Sequence, residues 1–417
     1  MRFRSYFAAV LGSLAALLAG VLLLNWLVDP LDVYRVLRND GFNRVKPSYT
    51  PYARLAKPSQ VERGNYPRLA IGSSRVLMGI PMQGSAWAAD GSAGFNMGLN
   101  GADLRTVREL LEHAIAVGEV KSVVISVDLF MFNAWLDSGH YPYPLARLGE
   151  TDGERFVRQR DTAMRLLFSP GVTLASIDTL RKQKDKYDKL LPDGSANPAH
   201  ELRQVLADGY ETRFRQFEDR LLRTGWSPCR DNRYAFAARN NDTMALFREI
   251  LQLAHDHHIE VKFFISPLHA RLLEMMDASG LGDDYEAMKR NLLAAIVAVY
   301  GEAMPGVALW DFSGYHHYGV EPVPQQPGVA MQWYSDASHF SQALGKLMLD
   351  AMFGAPTAAY PFGVQLTPAN IDAHLQAWRE RQAAFRAANP ALLAELQQRT
   401  AAVLRDKQAN GSACGGL

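Results

Sequence analysis

The chain has 417 residues, of which 48% are hydrophobic and 21% are charged. This composition is typical of a folded globular protein and excludes a disordered one. Forty-four Lys and Arg against 43 Asp and Glu leave a net charge of +1. Because there is no basic surplus to neutralise phosphates, we expect no nucleic-acid partner. A mean hydropathy of −0.14 excludes a polytopic membrane protein, so any membrane segment must be local.

Residues 5–28 contain no Asp, Glu, Lys or Arg and are rich in leucine. A helix of this length reaches about 36 Å, enough to cross about 30 Å of hydrocarbon. Arg2 and Arg4 precede the segment and Asp29 follows it, so the positive-inside rule predicts a cytoplasmic N-terminus. We expect a single-pass anchor in a bacterial inner membrane, with residues 30–417 in the periplasm. A cleavable signal peptide is the alternative, but the apolar run is long and no small-x-small site follows it.

The next segments predict a connector and an α/β domain. Residues 29–66 contain four prolines and predict an extended juxtamembrane connector. In residues 67–356, short β-type runs alternate with helical patterns, which predicts a parallel five-stranded sheet with helices on both faces. The five runs are Arg68–Ile71, Ala93–Asn96, Ser122–Val127, Val261–Ser266 and Val307–Asp311.

Two further regions are predicted to be helical. The third and fourth β-type runs are separated by residues 135–241 approximately, a segment far longer than an ordinary connection. Its Arg-rich helical patches predict an inserted cap. Residues 357–417 predict a helical tail, with helix starts near Pro368 and Pro390. The end of the tail, residues 409–417, is expected to be disordered.

Hydroxyl and glycine residues follow the first two predicted strands. Ser73 and Ser74 lie on the turn at the carboxyl edge of the sheet, where ligands of open α/β sheets bind. A serine there also suits a plain helix N-cap. Gly98 and Gly101 lie between the second strand and a helix, where N–H groups can stabilise developing negative charge. Two turn glycines that serve only packing are the alternative.

Asp336 and His339 lie before the last helix of the α/β domain. A carboxylate three residues before a histidine can accept a hydrogen bond from Nδ1 and leave Nε2 free to take a proton from a serine hydroxyl. An Asp and a His at such spacing are also common by chance, so only their combination with the two earlier blocks indicates a catalytic site.

The three blocks in this order resemble the SGNH/GDSL hydrolase family, over roughly residues 66–353. The resemblance implies a flavodoxin-like SGNH fold and a nucleophilic serine, with Asp, His and a backbone N–H as its partners. The residues that match the family's functional positions are Ser74, Asp336, His339 and Gly101.

The chain departs from the family pattern at two places. Ser73 occupies the position of the Asp in the family's Gly-Asp-Ser block. The family's Gly-x-Asn-Asp block, whose Asn donates to the oxyanion, is absent from the third strand and the loop after it. Asp128 and Asn133 follow that strand and are left as alternatives for this donor.

The anchored layout looks like periplasmic SGNH-type proteins that accompany membrane-bound O-acyltransferases. It implies transfer of an acyl group, expected to be acetyl, to a cell-surface or exported polysaccharide. The implied partners are a membrane-bound O-acyltransferase, the glycan and the lipid bilayer. A carbohydrate esterase with the same triad and a non-catalytic glycan-binding or scaffold protein are the alternatives. No metal or diffusible cofactor is expected.

Other residues allow two interpretations each. Arg75 beside the serines suits either an anionic ligand group or an ion pair with a surface carboxylate. Trp333 and Tyr334 suit either stacking on a sugar ring or packing. Cys229 and Cys414 are too few for a disulfide scaffold or a Cys-based zinc site, and the sequence leaves open whether they pair with each other.

Overall fold

The computed structural model describes residues 2–184, 187–326 and 328–414. It begins with helix α1 (Arg2–Val28), which is long and apolar enough to cross a membrane, with a mean hydropathy of 2.5 over its most apolar window. Residues 3–20 of this helix are exposed. The structure thus agrees with the predicted span.

A six-stranded sheet forms the centre of the molecule. Its strands are β1 (Arg68–Ile71), β2 (Gly94–Asn96), β3 (Ser122–Ser126), β6 (Glu260–Ile265), β7 (Val307–Asp311) and β8 (Val364–Leu366). Between β3 and β6, the chain forms a separate two-stranded hairpin of β4 (Ala237–Ala238) and β5 (Asn241–Asp242). The strand order is β2-β1-β3-β6-β7-β8. The first five are parallel, and Ala70 of β1 lies opposite Asn96 of β2 and Val124 of β3.

The prediction of five strands was one short, because β8 pairs with β7 in the antiparallel direction. This strand comes from the tail that was predicted to be helical. It has only three residues, two of them exposed, so the sequence carries no alternating apolar signal there.

Helices cover both faces of the sheet, and as a result β1 and β3 are buried at every residue. The helices between residues 53 and 352 that frame the sheet are α2 (Ala53–Arg63), α3 (Ser74–Gly79), α4 (Leu104–Val117), α9 (Thr243–Asp256), α10 (Ala270–Ala278), α11 (Gly282–Tyr300) and α12 (Gln342–Met352). α9 packs between α4 and α11. Asp103 and Asp242 cap α4 and α9 by accepting the N–H groups of Thr106 and Ala245.

The connector differs from its prediction. Residues 29–66 contain a short 3-10 turn at Thr50–Tyr52 and then α2, and most of α2 is buried. No helical signal was visible there because the buried positions of α2 include polar side chains and Pro58. The connector is therefore a packed part of the domain.

The insertion is helical, as its pattern indicated. It contains α5 (Asp152–Leu167), α6 (Pro170–Arg181), α7 (Pro198–Asp208), α8 (Tyr210–Arg220) and a π-helical turn at Leu221–Gly225, followed by the β4–β5 hairpin. The buried carboxylate of Glu218 accepts hydrogen bonds from Arg271 of α10 and from Arg399 of the tail. These charge-assisted bonds join the insertion to the rest of the molecule.

The tail forms α13 (Ile371–Ala388) and α14 (Pro390–Asn410), and α14 packs against α10. Cys229 and Cys414 form a disulfide bond. Disorder was expected from Ala409 onward, but the residues up to Cys414 are held by this bond and by a hydrogen bond from the Arg230 N–H to the Ser412 carbonyl. Residues 415–417 lie outside the described part of the chain.

Candidate active site

The first part of the site is the loop after β1. Gly72 has φ +155°, and a Cβ atom there would lie 2.3 Å from the Ser126 hydroxyl oxygen, so the position requires glycine. Ser73 is buried and its hydroxyl donates to Asp128 at 3.1 Å. Ser74 begins α3, is only partly buried and lines a cavity. The loop therefore gives the two serines different surroundings.

The second part is the loop before α12. Nε2 of His339 lies 2.7 Å from Oγ of Ser74, and Nδ1 lies 2.7 Å from Oδ2 of Asp336. A neutral imidazole in this position can donate from Nδ1 to the carboxylate and accept the serine proton at Nε2. The structure thus brings together three predicted site residues from opposite ends of the chain. Their catalytic role stays a prediction.

The Asp336 carboxylate is held by its own turn. Its Oδ1 accepts the N–H groups of Ser338 at 2.8 Å and of His339 at 2.9 Å. Burial by itself raises the pKa of Asp336, but the facing imidazole and the hydrogen bonds outweigh it, so that the net pKa is lowered. The group is therefore a carboxylate at neutral pH, as the orientation of the imidazole requires.

A buried ion pair joins the two loops. Nη1 of Arg75 lies 2.8 Å from Oδ1 of Asp128, and Nε of Arg75 donates to the Ser338 hydroxyl at 2.9 Å. Asp128 also accepts from Ser73. The carboxylate that pairs with Arg75 is thus buried, unlike the surface partner that the sequence suggested. One guanidinium fixes the serine loop relative to the loop that carries Asp336.

The third part is the loop after β2. The Asn96 side chain donates to the carbonyls of Val76 and Ile80 at 2.8 and 3.0 Å and accepts the Gly98 N–H at 2.9 Å. A Cβ atom at Gly98 would lie 2.4 Å from the backbone nitrogen of Leu77. Glycine is needed here because the loop packs directly against the backbone of α3.

Gly101, at the far end of this loop, lines the cavity with φ +65°. Among the described residues, no group accepts a hydrogen bond from its N–H. The loop is held by Lys57 of α2, whose buried amine donates to the carbonyls of Asn96, Gly98 and Gly194 at 2.7–2.8 Å. Burial lowers the pKa of Lys57 to about 7. The ammonium form supplies one N–H to each of the three carbonyls.

The two alternatives for a further oxyanion donor do not suit the role. Asp128 is a carboxylate engaged by Arg75 and Ser73. Asn133 donates both amide protons to the carbonyls of Trp226 and Arg233, at 2.7 and 2.9 Å. Neither side chain therefore has a proton to spare for an oxyanion.

A cavity of about 730 Å³ adjoins Ser74 and His339. Its walls combine the sheet edge with the insertion, which contributes aromatic and polar side chains that include Trp135, Gln216 and Phe217. The Phe217 ring meets the His339 imidazole edge-on, with 4.5 Å between ring centroids. A second cavity of about 310 Å³ shares Met78, Asn100 and Glu201 with the first and continues to the connector. A ligand can therefore extend from Ser74 toward the connector.

The remaining candidates have structural surroundings. Tyr334 is buried and packs edge-on against the His269 ring, with 5.2 Å between centroids, and Trp333 packs against Tyr318 at 4.9 Å. In the part of the chain that the structure describes, no group of three or more His, Cys, Asp or Glu side chains is placed to hold a metal ion.

No protein-family model matches the sequence, and no curated protein matches it either. The interpretation of the site therefore rests on its geometry. Two of its residues, Lys57 and Phe217, were missed by sequence reasoning. Lys57 lies in a stretch without helical periodicity, and Phe217 is one of two phenylalanines in a strongly polar helix, so neither indicated a role in the site.

Proposed function

We propose that this protein is a serine-dependent O-acyltransferase, with Ser74 as the nucleophile. The observation that carries the proposal is the pair of 2.7 Å hydrogen bonds that link Ser74 to His339 and His339 to Asp336 beside a cavity. A hydroxyl is a weak nucleophile until a neighbouring base removes its proton, and the base must be oriented by a third group. These contacts meet both requirements.

In the proposed reaction, Oγ of Ser74 attacks the acyl carbonyl carbon while Nε2 of His339 takes the hydroxyl proton. The N–H groups of Ser74 and Gly101 stabilise the oxyanion of the tetrahedral intermediate. His339 then returns the proton to the leaving group, which leaves an acyl ester on Ser74. An acceptor hydroxyl attacks this ester, gives its proton to His339, and the serine recovers its proton as the acylated acceptor departs.

The order of the blocks along the chain supports the same proposal. Ser74 follows β1, the loop with Gly98 and Gly101 follows β2, and Asp336 and His339 precede the last helix of the domain, as in the SGNH/GDSL hydrolases that the sequence resembles. The parallel sheet places the ends of β1 and β2 at one edge, where such folds bind their ligands.

We propose an acetyl group as the acyl unit and a hydroxyl of a cell-surface or exported glycan as its acceptor. The cavity supports an extended acceptor because aromatic side chains from the insertion line it beside polar ones. A membrane-bound O-acyltransferase is the proposed donor partner. With α1 spanning the inner membrane and its N-terminus in the cytoplasm, the anchor would raise the effective concentration of the site near that partner in the periplasm.

The test is intact-mass analysis of the full-length protein after incubation with p-nitrophenyl acetate. We expect a gain of one acetyl group in the wild type and in Ser73→Ala, because the buried Ser73 hydroxyl donates to Asp128 while His339 contacts Ser74, and no gain in Ser74→Ala or His339→Ala. An adduct that persists in Ser74→Ala would contradict the assignment. Release of the acetyl group to added oligosaccharide rather than to water distinguishes transfer from the esterase alternative.

A further inference from the structure

The end of the anchor helix is fixed to the insertion. The Asn25 amide donates to the Leu167 carbonyl at 2.8 Å and to the Thr173 hydroxyl at 2.9 Å, and its oxygen accepts the Ser176 hydroxyl at 2.8 Å. Asn25 is 1% exposed. A buried amide with all these partners holds α1 in one orientation on α5 and α6.

The connector continues this attachment. The Lys46 amine donates to the carbonyls of Val28 and Asp29 at 2.9 and 2.6 Å, which caps the carboxyl end of α1. The Asp29 carboxylate accepts N–H groups from residues 33–35 at 2.7–2.9 Å. The anchor is therefore a rigid extension of the domain and not a flexible tether, so a bilayer around α1 must meet a defined face of the protein.

That face includes an apolar stripe on α5. Phe156, Val157 and Met164 are 65%, 52% and 51% exposed. At 100° per residue they fall within about 100° of one another around the helix, opposite its buried Arg158 and Leu166. Adjacent α6 exposes Leu174 to 66%. Large apolar side chains this exposed on two neighbouring helices indicate an interaction surface.

The charges around this stripe are mainly basic. Residues 152–184 contain seven Lys and Arg against four Asp and Glu, and six of the seven remain after the buried Arg158 on the opposite face is set aside. Some of these are paired within the helices, as Arg165 is with Asp161 and Lys182 with Asp178. Basic side chains beside exposed apolar ones are the composition of helices that lie in the headgroup region of a membrane.

We propose that the α5–α6 face rests on the lipid bilayer at the end of α1 and inserts Phe156, Val157, Met164 and Leu174 into its headgroup boundary. Lipid is the occupant that the observations favour, because the face is continuous with the span. At the same end of α1, Leu23 and Trp26 also remain 50% and 37% exposed. The consequence is that Ser74 is held at a fixed height above the membrane. This inference does not depend on the proposed acyl transfer.

The test uses the full-length protein in nanodiscs of neutral and anionic phospholipid, without any other membrane protein. In the described residues, both cysteines form the disulfide, so a cysteine introduced by Phe156→Cys or Leu174→Cys can be labelled selectively with a fluorophore. Val364→Cys is the matched control. Val364 is also an exposed apolar residue, 38% exposed, but it lies on β8, the edge strand at the other end of the sheet from β2. All three positions are exposed, so the substitutions should not disturb folding.

The readout is quenching by lipids that carry a nitroxide near the top of the acyl chain. We expect labels at 156 and 174 to lose about half of their emission or more, since such faces enter about 5–10 Å into the boundary, and the label at 364 to be unaffected. Equal, negligible quenching at all three positions would overturn the proposal. Shielding of 156 and 174 only after a membrane protein is added to the nanodiscs would also overturn it, in favour of a protein partner.

Discussion

The loops after β1 and β2 both reach the candidate site, but they are held in different ways. The β1 loop, with Ser73 and Ser74, is fixed from several directions by Asp128 and Arg75. The loop from Asn96 to Gly101 is held by its own Asn96 and, from outside the sheet, by the amine of Lys57 and by the Asp193 carbonyl, which accepts the Asn96 N–H at 2.7 Å.

This difference shows how the site is assembled. The hydrogen bonds and the ion pair that hold the nucleophile and its base lie within the α/β domain, and the insertion adds the packing of Phe217 against His339. The proposed oxyanion donor at Gly101 depends on a residue of the connector, the same segment that caps the anchor helix through Lys46. A change in the connector should therefore affect transition-state stabilisation before it affects the nucleophile.

The largest effect is expected where the reaction itself is removed. Ser74→Ala and His339→Ala should each lower the steady-state rate of ester turnover by about 10⁴ or more, and the double variant should fall no further because the two groups act as one unit. Thermal unfolding should change little, since both changes are small and local. Additive losses in the double variant would contradict a shared mechanism.

Lys57→Met tests the β2 loop. Removing the amine leaves three buried carbonyls without a donor, so we expect a loss of about 2–4 kcal/mol in the free energy of unfolding. We also expect kcat to fall by about 10², the effect of losing one oxyanion donor. The acetyl adduct on Ser74 should still form, only more slowly. Denaturant unfolding and kinetics with an aryl acetate measure both effects.

Lys121→Met is the matched control for that change. Lys121 is exposed and lies at the amino end of β3, whereas the site lies at the carboxyl ends of the parallel strands. Its loss of charge should leave both the free energy of unfolding and kcat within experimental error. If the two Lys→Met variants behave alike, Lys57 has no particular role in the β2 loop.

Ser73→Ala tests the β1 loop and should have a smaller effect. It removes one hydrogen bond to Asp128 and a helix cap, worth about 1 kcal/mol, while Arg75 still holds Asp128 and Ser338. We expect kcat to fall by less than about tenfold, measured with the same aryl acetate. A loss as large as that of Lys57→Met would mean that the β1 loop is no better supported than the β2 loop.

The smallest effect concerns pH. Since the folded-state pKa of Asp336 is lowered below its usual 3.8, its charge contributes stability that is present above about pH 4 and is lost as the pH falls through the folded pKa. We expect the free energy of unfolding of the wild type to exceed that of Asp336→Asn at pH 6. The difference should narrow at pH 3. A difference that grows on acidification would show the opposite sign of the pKa shift.

The sequence by itself determined the features that depend on local patterns. The apolar run of α1, the β-type runs of the five parallel strands and the helical patterns between them were visible, because each needs only a local pattern of apolar residues. The order of the blocks with Ser74, Gly101, Asp336 and His339 was also visible, since parallel strands deliver their ends to one edge of the sheet.

Only the tertiary structure decided which side chains surround the residues of those blocks. The 2.7 Å contact between Ser74 and His339 joins residues 265 positions apart, and the partners Lys57 and Phe217 come from the connector and the insertion. The edge strand β8 and the Cys229–Cys414 bond are likewise long-range. Pairings of this kind depend on which surfaces the whole chain buries together, and no local pattern of residues specifies them.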